Sequence, residues 1–167
     1  MKTVINYSTI DGNTEDITLS ADDFHKLEKI FSEYIESEHA LPDVVEECGI
    51  SLTFTNACGI EAINDEYRDI AEPTDVLSFP MWENEDGKFA PPADWDDLPL
   101  GDIVVCPEII AANAAENSRS ERQETILVIC HGFLHLLGFD HADDDARDVM
   151  WAKQDALVEK FMARDEQ

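Results

Sequence analysis

The segment Ile126–Phe139 constrains this chain more than any other. Apart from two histidines and two glycines it is wholly apolar: Ile126-Leu127-Val128-Ile129-Cys130-His131-Gly132-Phe133-Leu134-His135-Leu136-Leu137-Gly138-Phe139. A helix that is apolar on nearly every side must be buried, so the rest of the fold has to be built around it. His131 and His135 are four apart, which at 3.6 residues per turn offsets them by only ~40° around the helix axis. Burying two histidines without a partner is costly, and a shared metal ion would take up their lone pairs. Gly138 suits a left-handed helix stop, after which the chain can reverse and bring His141 back to the same ion. Three histidines leave one coordination position open, the arrangement of a catalytic rather than a structural zinc site. The reading is therefore one Zn²⁺ per chain, held by His131, His135 and His141. The bland alternative is a set of core histidines bonded to backbone or acidic neighbours. His25 and His39, on the first helix, look incidental.

The same H-x3-H-x2-G-x2-H spacing occurs in metzincin proteases, which carry a Glu immediately after the first His as general base. Here that position is Gly132, which cannot move a proton. A zinc-dependent metallopeptidase-like hydrolase therefore stays as an alternative without its catalytic carboxylate. What remains is an ion that can lower the pKa of its water to ~7 and polarise a substrate.

The flanking sequence predicts strands at Thr3–Tyr7, Ile50–Thr55, Thr74–Met81 and Gly101–Cys106, and helices at Ala21–His39, Gly59–Asp69, Glu108–Asn117, Arg122–Leu137 and Asp144–Ala163. Ser20 is the expected N-cap of the first helix. In the last helix Val149, Met150, Ala156, Leu157, Val158 and Phe161 are the expected inner residues. Trp82–Pro99, rich in Asp, Glu and Pro, reads as a solvated loop, or as a flap beside a site. At 167 residues the chain is expected to form a single domain over 1–167, strands and helices mixing around one four-stranded sheet.

The N-terminus has no sustained apolar region or small-residue cleavage site, so a cytoplasmic location is expected. The longest apolar run is far short of the ~20 residues that span a bilayer. Cys48, Cys58, Cys106 and Cys130 lack C-x-x-C spacing and are read as reduced, mostly core residues. The formal charge of −27 argues against docking on an anionic membrane and against a basic coat for DNA or RNA. Any nucleic-acid contact must be local.

Against that charge Arg68 stands out, because between Ile30 and Ser118 the Lys and Arg residues are Arg68 and Lys88. An Arg fork can bond two phosphate oxygens at once; the alternative is an ion pair with Asp65, Asp69 or Glu72. Asp140 could accept the second N–H of a ligand histidine or orient a metal-held water, or could simply bond the local backbone of a turn. Asp75, Ser78 and Asp102 read as structural, and Tyr67 as core. Trp82 and Trp95 anchor the acidic loop, base stacking being the alternative. Arg119, Arg122, Arg147 and Lys153 cluster around the histidine helix in sequence.

Three ordered blocks resemble the bacterial YbeY family of metal-dependent endoribonucleases. They are Asn64-x-x-Tyr67-Arg68 with Pro73-Thr74-Asp75-Val76-Leu77-Ser78-Phe79-Pro80; Leu100-Gly101-Asp102-Ile103 with Pro107-Glu108; and His131-Gly132-x-Leu134-His135-Leu136-x-Gly138-x-Asp140-His141. The helix with Met150 and Gln154 also fits. The resemblance spans about residues 50–160. It implies an α+β fold: a central four-stranded mixed sheet packed by helices, with the metal-binding helix buried beside it. It also implies zinc on the three histidines, Arg68 as a catalytic, phosphate-binding residue, and single-stranded RNA as substrate, chiefly the 3′ end of small-subunit ribosomal RNA. The implied partners are the small ribosomal subunit and its assembly factors, with no DNA. A non-enzymatic assembly factor with a structural zinc is the third class; three histidines with no fourth Cys or His argue against it.

Overall fold

The computed structural model describes residues 1–10 and 17–165. The chain is an α+β domain with the element order β1 (Lys2–Thr9), α1 (Ala21–Glu38), β2 (Glu47–Phe54), α2 (Ala57–Arg68), β3 (Val76–Pro80), β4 (Asp97–Val105), α3 (Pro107–Glu116), α4 (Glu121–Leu136) and α5 (Asp144–Asp165). The sheet runs β1-β2-β4-β3. β1, β2 and β4 are parallel, while β3 joins β4 antiparallel as an edge strand, so the sheet is mixed as expected.

The helix starts follow from their caps. Ser20 accepts from the Asp23 amide and Ser120 from the Gln123 amide, and both ends form complete capping boxes. Asn56 caps α2 through the Gly59 amide, and Pro107 opens α3. The apolar stripe of α1 buries Phe24, Leu27, Ile30 and Phe31. Phe31 stacks on Phe133 of α4 with ring centroids 3.9 Å apart, which seats the histidine helix against the core. α2 covers the opposite side of the β3–β4 pair, where Ile60 packs with Leu77, Val104 and Cys106.

Several boundaries and faces differ from expectation. β4 begins at Asp97, so Asp97, Leu98 and Pro99 belong to a strand rather than to the acidic loop. Cys48 pairs with Leu98 and Gly49 with Pro99, and then the register shifts so that Ile50 pairs with Gly101. Leu100 is the extra residue of this irregularity, which gives a strand proline a place in the ladder. The rest of the loop is also partly ordered, with an antiparallel bridge between Glu83 and Phe89. In α5 the buried face is Met150, Gln154, Leu157 and Phe161; Val149 and Ala156 face solvent, each about a quarter-turn or more off that stripe. Tyr67 is 66% exposed rather than core, its ring meeting that of Phe79 in an edge-to-face contact. Cys48, Cys106 and Cys130 are buried free thiols, and Cys58 is exposed.

Candidate functional site

The C-terminal half of α4 carries His131 and His135 one turn apart. The face between them is set by Gly132, whose position packs on the sheet: a Cβ there would lie 3.0 Å from Ile103 Cδ1 and 3.2 Å from Ser78 Oγ. The helix ends at Leu136 with Leu137 as its C-cap, and Gly138 takes φ +96°, the left-handed stop that the sequence anticipates. The chain then turns back and delivers His141. Ligand-type atoms of the three histidines all lie within 4.8 Å of one another.

The second nitrogen of each helical histidine is held by the protein. His131 Nδ1 donates to Gln154 Oε1 at 2.7 Å, and His135 Nδ1 donates to the Phe139 carbonyl at 2.8 Å. Both rings therefore present an Nε2 lone pair, and these two atoms face each other at 3.0 Å. Two neutral imidazoles with lone pairs opposed are a poor hydrogen-bonding arrangement and a good cation site. Burial, reinforced by the neighbouring His131, pushes the His135 ring down to about 4. Burial likewise lowers His131, with His141 adding to it and the Gln154 bond opposing it. Both rings are thus neutral near pH 7, the form in which a histidine coordinates a metal.

The three histidines open into a cleft of about 520 Å³ that Arg68, Asp75, Glu83 and Asp140 also line. Arg68 stands in the last turn of α2 and reaches the free edge of the sheet, where it donates to the Ser78 carbonyl at 3.0 Å. Among the described residues it makes none of the ion pairs with Asp65, Asp69 or Glu72 that the sequence left open. Its guanidinium is an exposed cation beside the histidines. Asp140 Oδ1 accepts the Ala142 amide at 3.1 Å, a local turn bond of the kind the sequence also allowed.

Among the described residues none of Arg119, Arg122, Arg147 and Lys153 lines this cleft; Arg147 pairs with Asp144, and Lys153 lies over the Tyr34 and Phe139 rings. Arg122 is tied to Asp23 and Asp165, and Arg119 to Glu124. Trp82 donates to the Pro99 carbonyl and meets Trp95 edge-on, so the pair anchors the acidic loop. Sequence reasoning placed Gln154 in a fitting helix but gave it no role. The signal was an amide standing alone in the stripe Met150–Gln154–Leu157–Phe161. The Phe139 carbonyl, being backbone, left no signal.

The fold and the site define an α+β protein with three converging histidines and one arginine in an acidic cleft. The sequence matches the family described as Endoribonuclease YbeY over residues 9–162. Endoribonuclease YbeY of Micrococcus luteus is 39% identical over 121 residues, 72% of this chain and 75% of the relative. That of Lachnoclostridium phytofermentans is 37% identical over 154 residues, 83% of this chain and 90% of the relative. The solution structure of TM1509 from Thermotoga maritima superposes with a TM-score of 0.63 at 25% identity, covering 96% of this chain and 91% of that one. The chain belongs to the Endoribonuclease YbeY family.

Proposed function

We propose that this protein is a zinc-dependent, single-strand-specific endoribonuclease that acts in maturation of the 3′ end of 16S ribosomal RNA and in ribosome quality control. The family's name supports the reaction class. The observation that carries the reading is the pair of facing Nε2 lone pairs with Arg68 in the same cleft.

His131, His135 and His141 would hold the zinc ion, one per chain over a single domain of residues 1–167. Bound there, the ion supplies a Lewis acid and lowers the pKa of water to ~7. Gln154 and the Phe139 carbonyl fix the tautomer and aim of two of the rings. Arg68 binds the scissile phosphate through its fork and offsets the charge that develops on it. His131 belongs to the catalytic set as a ligand of the ion, and Asp140, whose Oδ1 accepts the Ala142 amide, is the remaining catalytic residue, placed to orient the metal's water.

With a net charge of −27 the chain has no broad basic footprint for RNA. Recognition then depends on context supplied by the small ribosomal subunit and its assembly factors, in the cytoplasm. No helix among the described residues is long and apolar enough to cross a membrane.

The test is cleavage of a single-stranded fragment from the 3′ end of small-subunit ribosomal RNA, run beside the same sequence as a duplex and beside casein. Cleavage of the single strand alone, abolished by chelation and restored by zinc, is expected. Casein cleavage without RNA cleavage would establish the peptidase alternative instead.

A further inference from the structure

A second cavity, of about 530 Å³, adjoins the histidine cleft. Asp75, Val76 and His131 line both, so they form a common wall between them. The second cavity is also lined by Asn117, Arg119 and Trp151, which do not line the histidine cleft. We propose that this second cavity seats a base of the single-stranded RNA whose scissile phosphate lies in the histidine cleft, with Trp151 as the stacking platform. The proposal rests on the ribonuclease reading above.

Trp151 is 48% exposed and stands off the buried stripe of α5, so packing of the helix does not require it. A large aromatic at a cavity wall offers a π-face, and every base has one, which makes such a site tolerant of sequence. The charge of the cavity selects which part of a nucleotide enters. Asp75 and Asp155 line it against a single cation, Arg119, which is itself paired with Glu124 at 3.1 Å. A phosphate is repelled there, whereas an uncharged base is not. Asn117 brings an amide that can both donate to and accept from a base edge. Arg147, one turn before Trp151, lies over the ring with its guanidinium 5.2 Å from the centroid and pairs with Asp144 at 3.3 Å, so it covers one face of the indole, steadies it, and adds no free cation. An acidic chain can in this way hold RNA by stacking rather than by a field of lysines and arginines.

The test measures binding of a fluorescently labelled 2′-O-methyl RNA hexamer, which lacks the 2′-hydroxyl nucleophile and is checked for integrity after each titration, to the zinc-loaded protein. Trp151→Ala should weaken binding by about 5- to 150-fold, the range for loss of one stacked base. Trp151→Phe should stay within about threefold of wild type, since it keeps an aromatic face. Equal affinity of Trp151→Ala and wild type, equal losses in both variants, or no binding by wild type would each overturn the subsite. Cleavage of the unmodified hexamer by wild type is scored separately. Trp151-dependent binding without any cleavage would uphold the subsite and sink the nuclease reading.

Discussion

Gln154 Oε1 accepts the Nδ1 proton of His131 at 2.7 Å, joining α5 to α4 directly behind the candidate metal centre. The bond points the His131 Nε2 lone pair toward His135. Partners of this kind are worth 10- to 100-fold in metal affinity. Gln154→Leu should therefore weaken zinc binding by about that factor in a competition titration against a chromogenic chelator, whereas His131→Ala should abolish tight binding. Unchanged affinity in Gln154→Leu would mean that the ring is oriented by packing alone.

Arg68 is exposed and, among the described residues, bonded to one carbonyl and resting over the Phe79 ring, so its removal should cost little stability, within about 0.5 kcal/mol. Its effect belongs in turnover. Arg68→Ala should lower kcat/KM for RNA by about 100- to 1000-fold, the scale of one lost charge-stabilising donor. Arg68→Lys should recover only part of that loss, because an ammonium cannot bond two oxygens in one plane. Full activity in the lysine variant would show that only the charge is needed.

Gly132 occupies the position where a metzincin has its glutamate, yet that position packs on β3 and β4. Gly132→Glu should not create a peptidase. It should force a carboxylate against Ile103 and Ser78 and destabilise the fold by about 2 kcal/mol or more, read from urea unfolding midpoints. A stable variant that hydrolyses casein would show that α4 can rotate.

Arg122 draws α1, α4 and α5 together through Asp23 and Asp165, with Lys26 also paired to Asp165. Burial raises the Asp23 carboxyl, but bonds from Arg122 and the Ser20 amide outweigh it and hold it below its ordinary value. Bonds from Arg122 and then Lys26 hold Asp165 well below the usual carboxylate range. Depressed carboxyls stabilise the fold above their unfolded value of about 3.9, and that contribution is lost as pH falls through their folded values. Arg122→Met should cost about 1–2 kcal/mol at pH 7, solvent screening included. The gap from wild type should narrow on acidification below pH ~4, as urea melts at both pH values would reveal. A constant gap would assign the effect to the Arg122 guanidinium lying over the Phe161 ring, 5.0 Å from its centroid.

The histidine helix was legible because two independent periodicities coincide there: an apolar content too high for a surface helix, and polar exceptions at i and i+4. The start of β4 was not, because its first residues are held by backbone bonds to β2 in an irregular register, and Asp97 and Pro99 carry the composition of a loop. Tyr67 misled for a related reason. It continues the apolar face of Ile60 and Ile63, but α2 ends at Arg68, past the reach of the small cluster beneath it. Arg119 and Arg122 lie near the histidines in sequence, yet Arg119 turns to Glu124 five residues on, and Arg122 to Asp23 and Asp165, 99 and 43 residues away, which no local pattern encodes. The bond from His131 to Gln154 spans 23 residues and was hidden in the same way.

The reversal at Gly138 is pressed against the acidic loop: a Cβ there would come within 2.6 Å of Phe89 Cβ. Phe89 is fixed in turn by its bridge to Glu83 and by the Ala90 amide bonding the Trp82 carbonyl at 2.7 Å. The segment that delivers the third histidine therefore has a neighbour far along the chain as its backstop. Insertions or deletions are free only at the solvent-facing tip around Asn84–Gly87; at the base, a change of one residue would move the backstop and with it the aim of His141. What looks in the sequence like a tolerant acidic linker is, at its root, part of the jig that sets the geometry of the metal centre.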